Sequence, residues 1–185
     1  NLKCIGRDFS WTAQEGGWQF SLQGQTAYHL PTPALQGKYQ LNNAACAVAA
    51  VESLQARLPV NVAAIAAALG KVEVAGRFQK VSDKPLAILD VAHNPHAARA
   101  LAGNLAAIRM QQQNNSPVGK IGIGTIAVFA MLSDKDIHGV VDAVKDEIDT
   151  WYVASLDHIR GEHAADLAEI ISAKSPTADV EIFNT

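Results

Sequence analysis

The stretch LDVAHNPHA, residues 89–97, sets a carboxylate and two imidazoles directly after an apolar run. An unpaired buried charge is costly enough that it normally neutralises or finds a partner. Asp90 is therefore either a local structural cap or part of a site. A carboxylate at the end of a strand can accept two hydroxyls of a ribose, and a helix beginning at Asn94 presents an N-terminus that favours negative charge such as phosphate. His93 and His96 stand at HxxH spacing, which suits a metal on one helical face. No carboxylate or cysteine stands at a supporting spacing, so a metal is not expected there. Further along, Ser133, Asp134, Lys135 and Asp136 fall in a similar place after a second apolar run. Short acidic side chains also bond neighbouring backbone amides in ordinary loops. The pattern alone leaves site and cap open at both positions.

Other chemistry-bearing residues are less informative. Gly119, Gly122 and Gly124 in VGKIGIGT include a GxG, but they precede an apolar run instead of following one, the wrong context for a dinucleotide fingerprint. The phosphate loop GxxxxGK[ST] is absent. Lys38, Lys71 and Lys120 each follow a glycine, but Tyr, Val and Ile come next, and none supplies the hydroxyl that holds magnesium. Arg77, in VAGRFQ, has the reach to meet a phosphate or a base, and is equally consistent with a surface cation.

These residues need elements to hold them. Residues 18–30, WQFSLQGQTAYHL, alternate apolar and polar around Gly24 and predict a short antiparallel hairpin. NNAACAVAAVESLQARL predicts an alanine-rich, closely packed helix with Asn42 or Asn43 near its N-terminus, followed by a second short helix at 61–69. From about Gly70 the pattern becomes strand alternating with helix, which places a boundary near residues 70–76. KVEVAGRFQKV and PLAILDVA read as strands. Asn94 caps the next helix, Pro95 suits its first turn, and Leu101, Leu105 and Ile108 recur at helical spacing. GTIAVFAML (124–132) is a strand and SDKD a loop. Ile137, Val140, Val141, Val144 and Ile148 form a helical apolar face. WYVASL, EHAADLAEIISA and DVEIF complete a strand, helix, strand series. Such alternation implies a mostly parallel sheet with helices on both faces. In such sheets ligands sit beyond the carboxyl ends of the strands, where Asp90, His93 and the SDKD loop are expected.

Composition bounds the class. The chain has 185 residues, 49% hydrophobic and 18% charged, with a formal charge of −3, so no basic face for nucleic acid is expected. The two cysteines, Cys4 and Cys46, form no CxxC, which fits a reducing cytoplasm. The apolar region 43–69 is interrupted by Glu52, Gln55, Arg57 and Pro59 and is no membrane span. The opening residues NLKCIGRDFSW read as the middle of a longer protein, and the stop after DVEIF reads as a domain cut short, with an exposed sheet edge there.

Taken together, GRDFSW (6–11), GKYQLNNAACAVAA (37–50), AGRFQ (75–79), LDVAHNPHAA (89–98) and FAMLSDKD (129–136) resemble the bacterial bifunctional dihydrofolate synthase/folylpolyglutamate synthases, a branch of the Mur-ligase family. Tyr39 departs from the His common in that family. The resemblance implies that residues 1–72 are the C-terminal part of a central ATP-binding domain, a β-hairpin plus helical tail. Residues 73–185 would be a truncated Rossmann-like C-terminal ligase domain. It implies that Asn43 and Arg77 contact ATP, that Asp90 is the nucleotide-binding acid at the ribose, and that His93 lies near nucleotide or phosphates. Lys135 would help with glutamate or a phosphate.

The implied chemistry is ATP- and magnesium-dependent amide formation with the metal ligands outside this chain. A pterin-linked carboxylate is phosphorylated, L-glutamate attacks the acyl phosphate, and phosphate leaves. Dihydropteroate, tetrahydrofolates, L-glutamate and ATP are the implied partners of a cytoplasmic monomer. A peptidoglycan-building Mur-type ligase and a non-catalytic nucleotide-binding α/β module are the competing classes. The hairpin-plus-helix region before residue 70 argues against a free-standing receiver-like module.

Overall fold

The computed structural model describes residues 2–35, 38–115 and 124–183. Gly37, Gly119, Lys120, Gly122 and Thr185 lie outside the described residues. The chain divides into two compact units, Asn1–Leu89 and Asp90–Thr185.

In the first unit an antiparallel sheet runs in the order β1 (Phe9–Gln14), β2 (Gly17–Leu22), β3 (Gln25–Pro31). The expected hairpin is present as β2 and β3, and β1 adds a third strand that the sequence pattern did not separate from its turn. Alternation puts Trp18 and Phe20 of β2 inward with Phe9 and Leu30, all buried. Helix α1 (Lys38–Leu54) covers this face with Ala44, Ala45, Val48 and Ala49, small side chains that let the helix lie close to the rings. Helix α2 (Val62–Leu69) adds Ile65 and Leu69, and Asn61 caps it by accepting from Ala64 N at 2.8 Å.

Helix α1 begins earlier than expected. Asn42 and Asn43 fall in its second turn and cap nothing. Asn42 Oδ1 instead accepts the indole N–H of Trp11 at 2.8 Å, and Glu52 Oε1 accepts the Tyr28 hydroxyl at 2.6 Å. The helix is thus pinned to the sheet near both ends. Gln55 closes the turn to α2 by donating to Val60 O at 2.7 Å and accepting Val60 N at 2.9 Å.

Strands β4 (Gln79–Asp83) and β5 (Leu86–Leu89) correct the expected series. They pair antiparallel with each other in a sheet of their own, so PLAIL does not lie in the parallel sheet. Residues 71–78, expected to open a strand, are irregular.

In the second unit β6 (Ile126–Phe129), β7 (Thr150–Ala154) and β8 (Asp179–Phe183) form a parallel sheet in that order. It is flanked by α3 (Pro95–Asn115), α4 (Ile137–Val144) and α5 (Ala164–Lys174). Central β7 buries Trp151 and Val153 completely. Ile137, Val140, Val141 and Val144 are the buried stripe of α4, as their i, i+3, i+4, i+7 spacing requires, and Leu167 and Ile171 are the buried stripe of α5. The α4 face ends sooner than expected. A 3₁₀ turn at Lys145–Glu147 carries the chain to Ile148, which still reaches the core. The edge strands β6 and β8 leave Val128, Ile182 and Phe183 exposed.

Candidate functional site

The GRDFSW segment is scaffold. The Asp8 carboxylate accepts Cys4 N at 2.7 Å and pairs with Arg7 at 2.9 Å. The hydrogen bond from Arg7, with that from the Cys4 amide, holds its pKa below the usual value. Phe9 enters the core and Trp11 fixes α1 at Asn42. The neighbour, Asn43, is exposed, and its amide donates to Gln40 Oε1 at 3.1 Å.

Arg77 is exposed in a turn of uncommon backbone. Gly76 has φ 67° and Phe78 has φ 47°. A left-handed phenylalanine costs of order 1–3 kcal/mol and persists only where its surroundings over-determine it. The turn is held by Arg77 N donating to Val74 O at 3.2 Å and by Gly76 N donating to the Gln79 side chain at 3.0 Å. Such strain is concentrated at functional sites, and here it sits beside a candidate phosphate contact.

In the second unit Asp90 Oδ1 accepts Ala92 N at 2.8 Å. Asp90 thus makes the local turn bond that a structural cap requires. His93 Nδ1 lies 2.9 Å from Val91 O. A carbonyl only accepts, so Nδ1 carries the proton in this contact, and Nε2 is the ring nitrogen outside it. Asn94 caps α3 as expected, accepting Ala97 N at 2.9 Å.

The loop after β6 carries Ser133 to Asp136. Asp136 caps α4 by accepting Gly139 N at 2.8 Å. Lys135 Nζ and Arg160 Nη1 each lie 3.3 Å from Asp134 Oδ2. Loss of hydration works to raise the Asp134 pKa, but the Lys135 hydrogen bond and the charges of Lys135 and Arg160 outweigh it and hold the carboxyl below its usual value.

A glycine joins the two motifs. A β-carbon at Gly139 would lie 2.6 Å from Pro95 Cγ and 2.4 Å from Asp136 Oδ2. The first turn of α3 is therefore seated against the first turn of α4, and HNP and SDKD share one corner at the carboxyl end of β6. Two helix N-termini, the second already capped by the Asp136 carboxylate, stand here beside Lys135 and Arg160, and helix N-termini and mobile cations are groups that can meet an anion. Asp90, His93 and Lys135 belong to this unit, whereas Asn43 and Arg77 belong to the other. Sequence reasoning missed Arg160, an isolated exposed arginine in a loop with no motif around it.

Two helix N-termini that begin together beyond a parallel strand, beside the loop cation Lys135, mark the second unit as an α/β domain with one defined corner. The chain belongs to the Mur ligase family: the glutamate ligase domain of that family matches residues 76–185. It is similar to the dihydrofolate synthase/folylpolyglutamate synthase of Escherichia coli K12, 36% identical over 168 residues, covering 91% of this chain and 36% of that protein. Its structure is similar to that of Escherichia coli FolC in complex with DHPP and ADP, with TM-score 0.77 and 34% identity over 98% of this chain and 38% of the other. It is also similar to the Yersinia pestis bifunctional folylpolyglutamate synthase/dihydrofolate synthase complexed with AMPPNP and Mn ion, with TM-score 0.75 and 34% identity, covering 97% of this chain and 38% of the other. The chain thus spans little more than a third of the length of these relatives.

Proposed function

We propose that this chain is part of an ATP-dependent carboxylate–amine ligase that adds L-glutamate to dihydropteroate and to tetrahydrofolates. The observation that carries this reading is the corner where α3 and α4 begin together, furnished with His93 and Lys135, in a chain of this family. Residues 1–72 are read as the C-terminal part of the central ATP-binding domain and 73–185 as the C-terminal ligase domain. ATP phosphorylates the pterin-linked carboxylate, the glutamate amine attacks the acyl phosphate, and the tetrahedral adduct expels phosphate. Water must be kept out meanwhile, because it would hydrolyse the acyl phosphate.

In this reading Asp90 holds the ribose, while Asn43 and Arg77 contact ATP. His93 meets a phosphate through Nε2. Lys135 is a mobile point charge for glutamate or a phosphate. Magnesium serves such chemistry by neutralising phosphate charge. Among the described residues no group of three His, Cys, Asp or Glu side chains is placed to hold it, so no step is assigned to a metal on these residues.

We read the enzyme as a cytoplasmic monomer with small-molecule partners. Cys4 and Cys46 are free thiols, and among the described residues no helix is long and apolar enough to cross a membrane. The test is an assay of the full-length protein carrying this chain. Glutamate-dependent ADP release with dihydropteroate or tetrahydrofolate is expected, and release only with UDP-muramyl precursors would overturn the folate reading.

A further inference from the structure

Arg160 meets the loop after β6 through both backbone and side chain. Its carbonyl accepts Ser133 N at 2.8 Å and Ser133 Oγ at 3.2 Å, and its Nη1 lies 3.3 Å from Asp134 Oδ2. The backbone around it is laid firmly along that loop. Leu132 and Gly161 form an isolated antiparallel bridge, and Glu162 N donates to Met131 O at 2.9 Å. Gly161 leaves no room for a side chain, since a β-carbon would lie 2.3 Å from Leu156 O. The loops after β6 and β7 are thus joined into one surface by their backbones, and the exposed Arg160 guanidinium reaches Asp134 from it.

Asp134 Oδ2 is shared between two cations, Lys135 and Arg160. Were Arg160 absent, the carboxylate would pair with Lys135 alone, and the lysine would be neutralised by its own neighbour. We propose that Arg160 is a positioning residue for Lys135: by taking a share of the Asp134 carboxylate it keeps the lysine ammonium available to an anionic ligand at the α3–α4 corner. Its bearing on ligation rests on the function proposed above. The effect on Lys135 itself is measurable without turnover, so a failed ligase assay and a failed positioning effect are distinguishable.

The experiment is competitive acylation of the full chain with a water-soluble acetylating reagent, read at each lysine by mass spectrometry. Lys145 and Lys174 serve as internal controls, because they pair with Asp146 and Asp142 and not with Asp134. In Arg160→Ala the tighter pair with Asp134 should slow acylation of Lys135 by about 1.5- to 5-fold, the range of exposed ion pairs, with both controls unchanged. Arg160→Lys should keep the wild-type rate at Lys135, and Asp134→Asn should raise it. An unchanged Lys135 rate in Arg160→Ala, or a slowing shared by the controls, would overturn the proposal. Should Arg160→Ala fail to fold, the other two variants decide: equal Lys135 rates in Asp134→Asn and wild type are incompatible with a carboxylate that restrains this lysine.

Discussion

Asp90 makes a local turn bond and is proposed to hold a ribose, and two substitutions separate these roles. Its Oδ1 bond to the Ala92 amide needs only a side-chain oxygen, which asparagine retains, whereas a charge-assisted bond to ribose needs the carboxylate. Asp90→Asn in the full-length protein should therefore leave the melting temperature within a few degrees while raising KM for ATP. A lost charge-assisted hydrogen bond of about 1.5–3 kcal/mol corresponds to roughly 10- to 150-fold, which bounds that rise from above because some bonding remains. Asp90→Ala should reach the full loss and also cost about 0.5–2 kcal/mol of stability, as lost caps do. A lowered melting temperature in Asp90→Ala with unchanged ATP use would return the residue to a purely structural role. Tyr28 makes a second prediction at this scale. Its hydrogen bond to Glu52, then partial burial and the nearby carboxylate charge, raise its pKa. The neutral phenol is the form the fold prefers, so its contribution is complete below the unfolded value near 10 and is lost as pH rises through the higher folded value. Urea titrations at pH 8 and above pH 10 should show a larger alkaline loss for wild type than for Tyr28→Phe, and equal losses would remove Glu52 as the cause.

Among the elements, the contact between α3 and α4 decides where the candidate site lies. Replacing a helical glycine by alanine normally gains about 1 kcal/mol of helix propensity. At Gly139 the added carbon would meet Pro95 Cγ at 2.6 Å and Asp136 Oδ2 at 2.4 Å, so the helices must part or the cap must move. Overpacking of that kind costs about 1–3 kcal/mol, which outweighs the propensity gain. Gly139→Ala should lower the melting temperature and impair ATP use together; a stabilised variant with intact kinetics would show that the corner is not closely packed. The legibility of the sequence follows the same division between local and non-local causes. The α4 stripe, the Asn94 cap and the strand at WYVA were readable because periodicity and capping are written in adjacent residues. The early start of α1 was not, because Asn42 is claimed by Trp11 from 31 residues away. The antiparallel pairing of β5 was also hidden, since LAIL is an equally good strand in either kind of sheet. Asp90, His93 and Lys135 could be nominated by residue type and place. The seating of Pro95 on Gly139 and the sharing of Asp134 by Arg160 exist only in three dimensions.

For the whole molecule, two units each close a core of their own. One is built on Trp18 and Phe20 under an alanine-rich helix, the other on Trp151, Leu167 and Ile171 around a parallel sheet. Neither depends on a ligand to bury its largest side chains, so the chain is expected to be folded when purified. Folding and turnover need different things, however. Phosphoryl transfer requires donors wrapped around the triphosphate and a metal to spread its charge. The sequence has no GxxxxGK[ST] loop, and among the described residues no three metal-ligating side chains gather. The corner at α3 and α4 provides two helix N-termini and Lys135, which can hold an anion but cannot by themselves align an attacking carboxylate with a γ-phosphate. The purified 185-residue chain should accordingly show a cooperative melt and no ADP release above the rate of buffer, with or without dihydropteroate and glutamate. ADP release by the chain alone that Asp90→Ala abolishes would mean that these residues contain a complete phosphoryl-transfer site, and the proposed division of labour with a central ATP-binding domain would have to be abandoned.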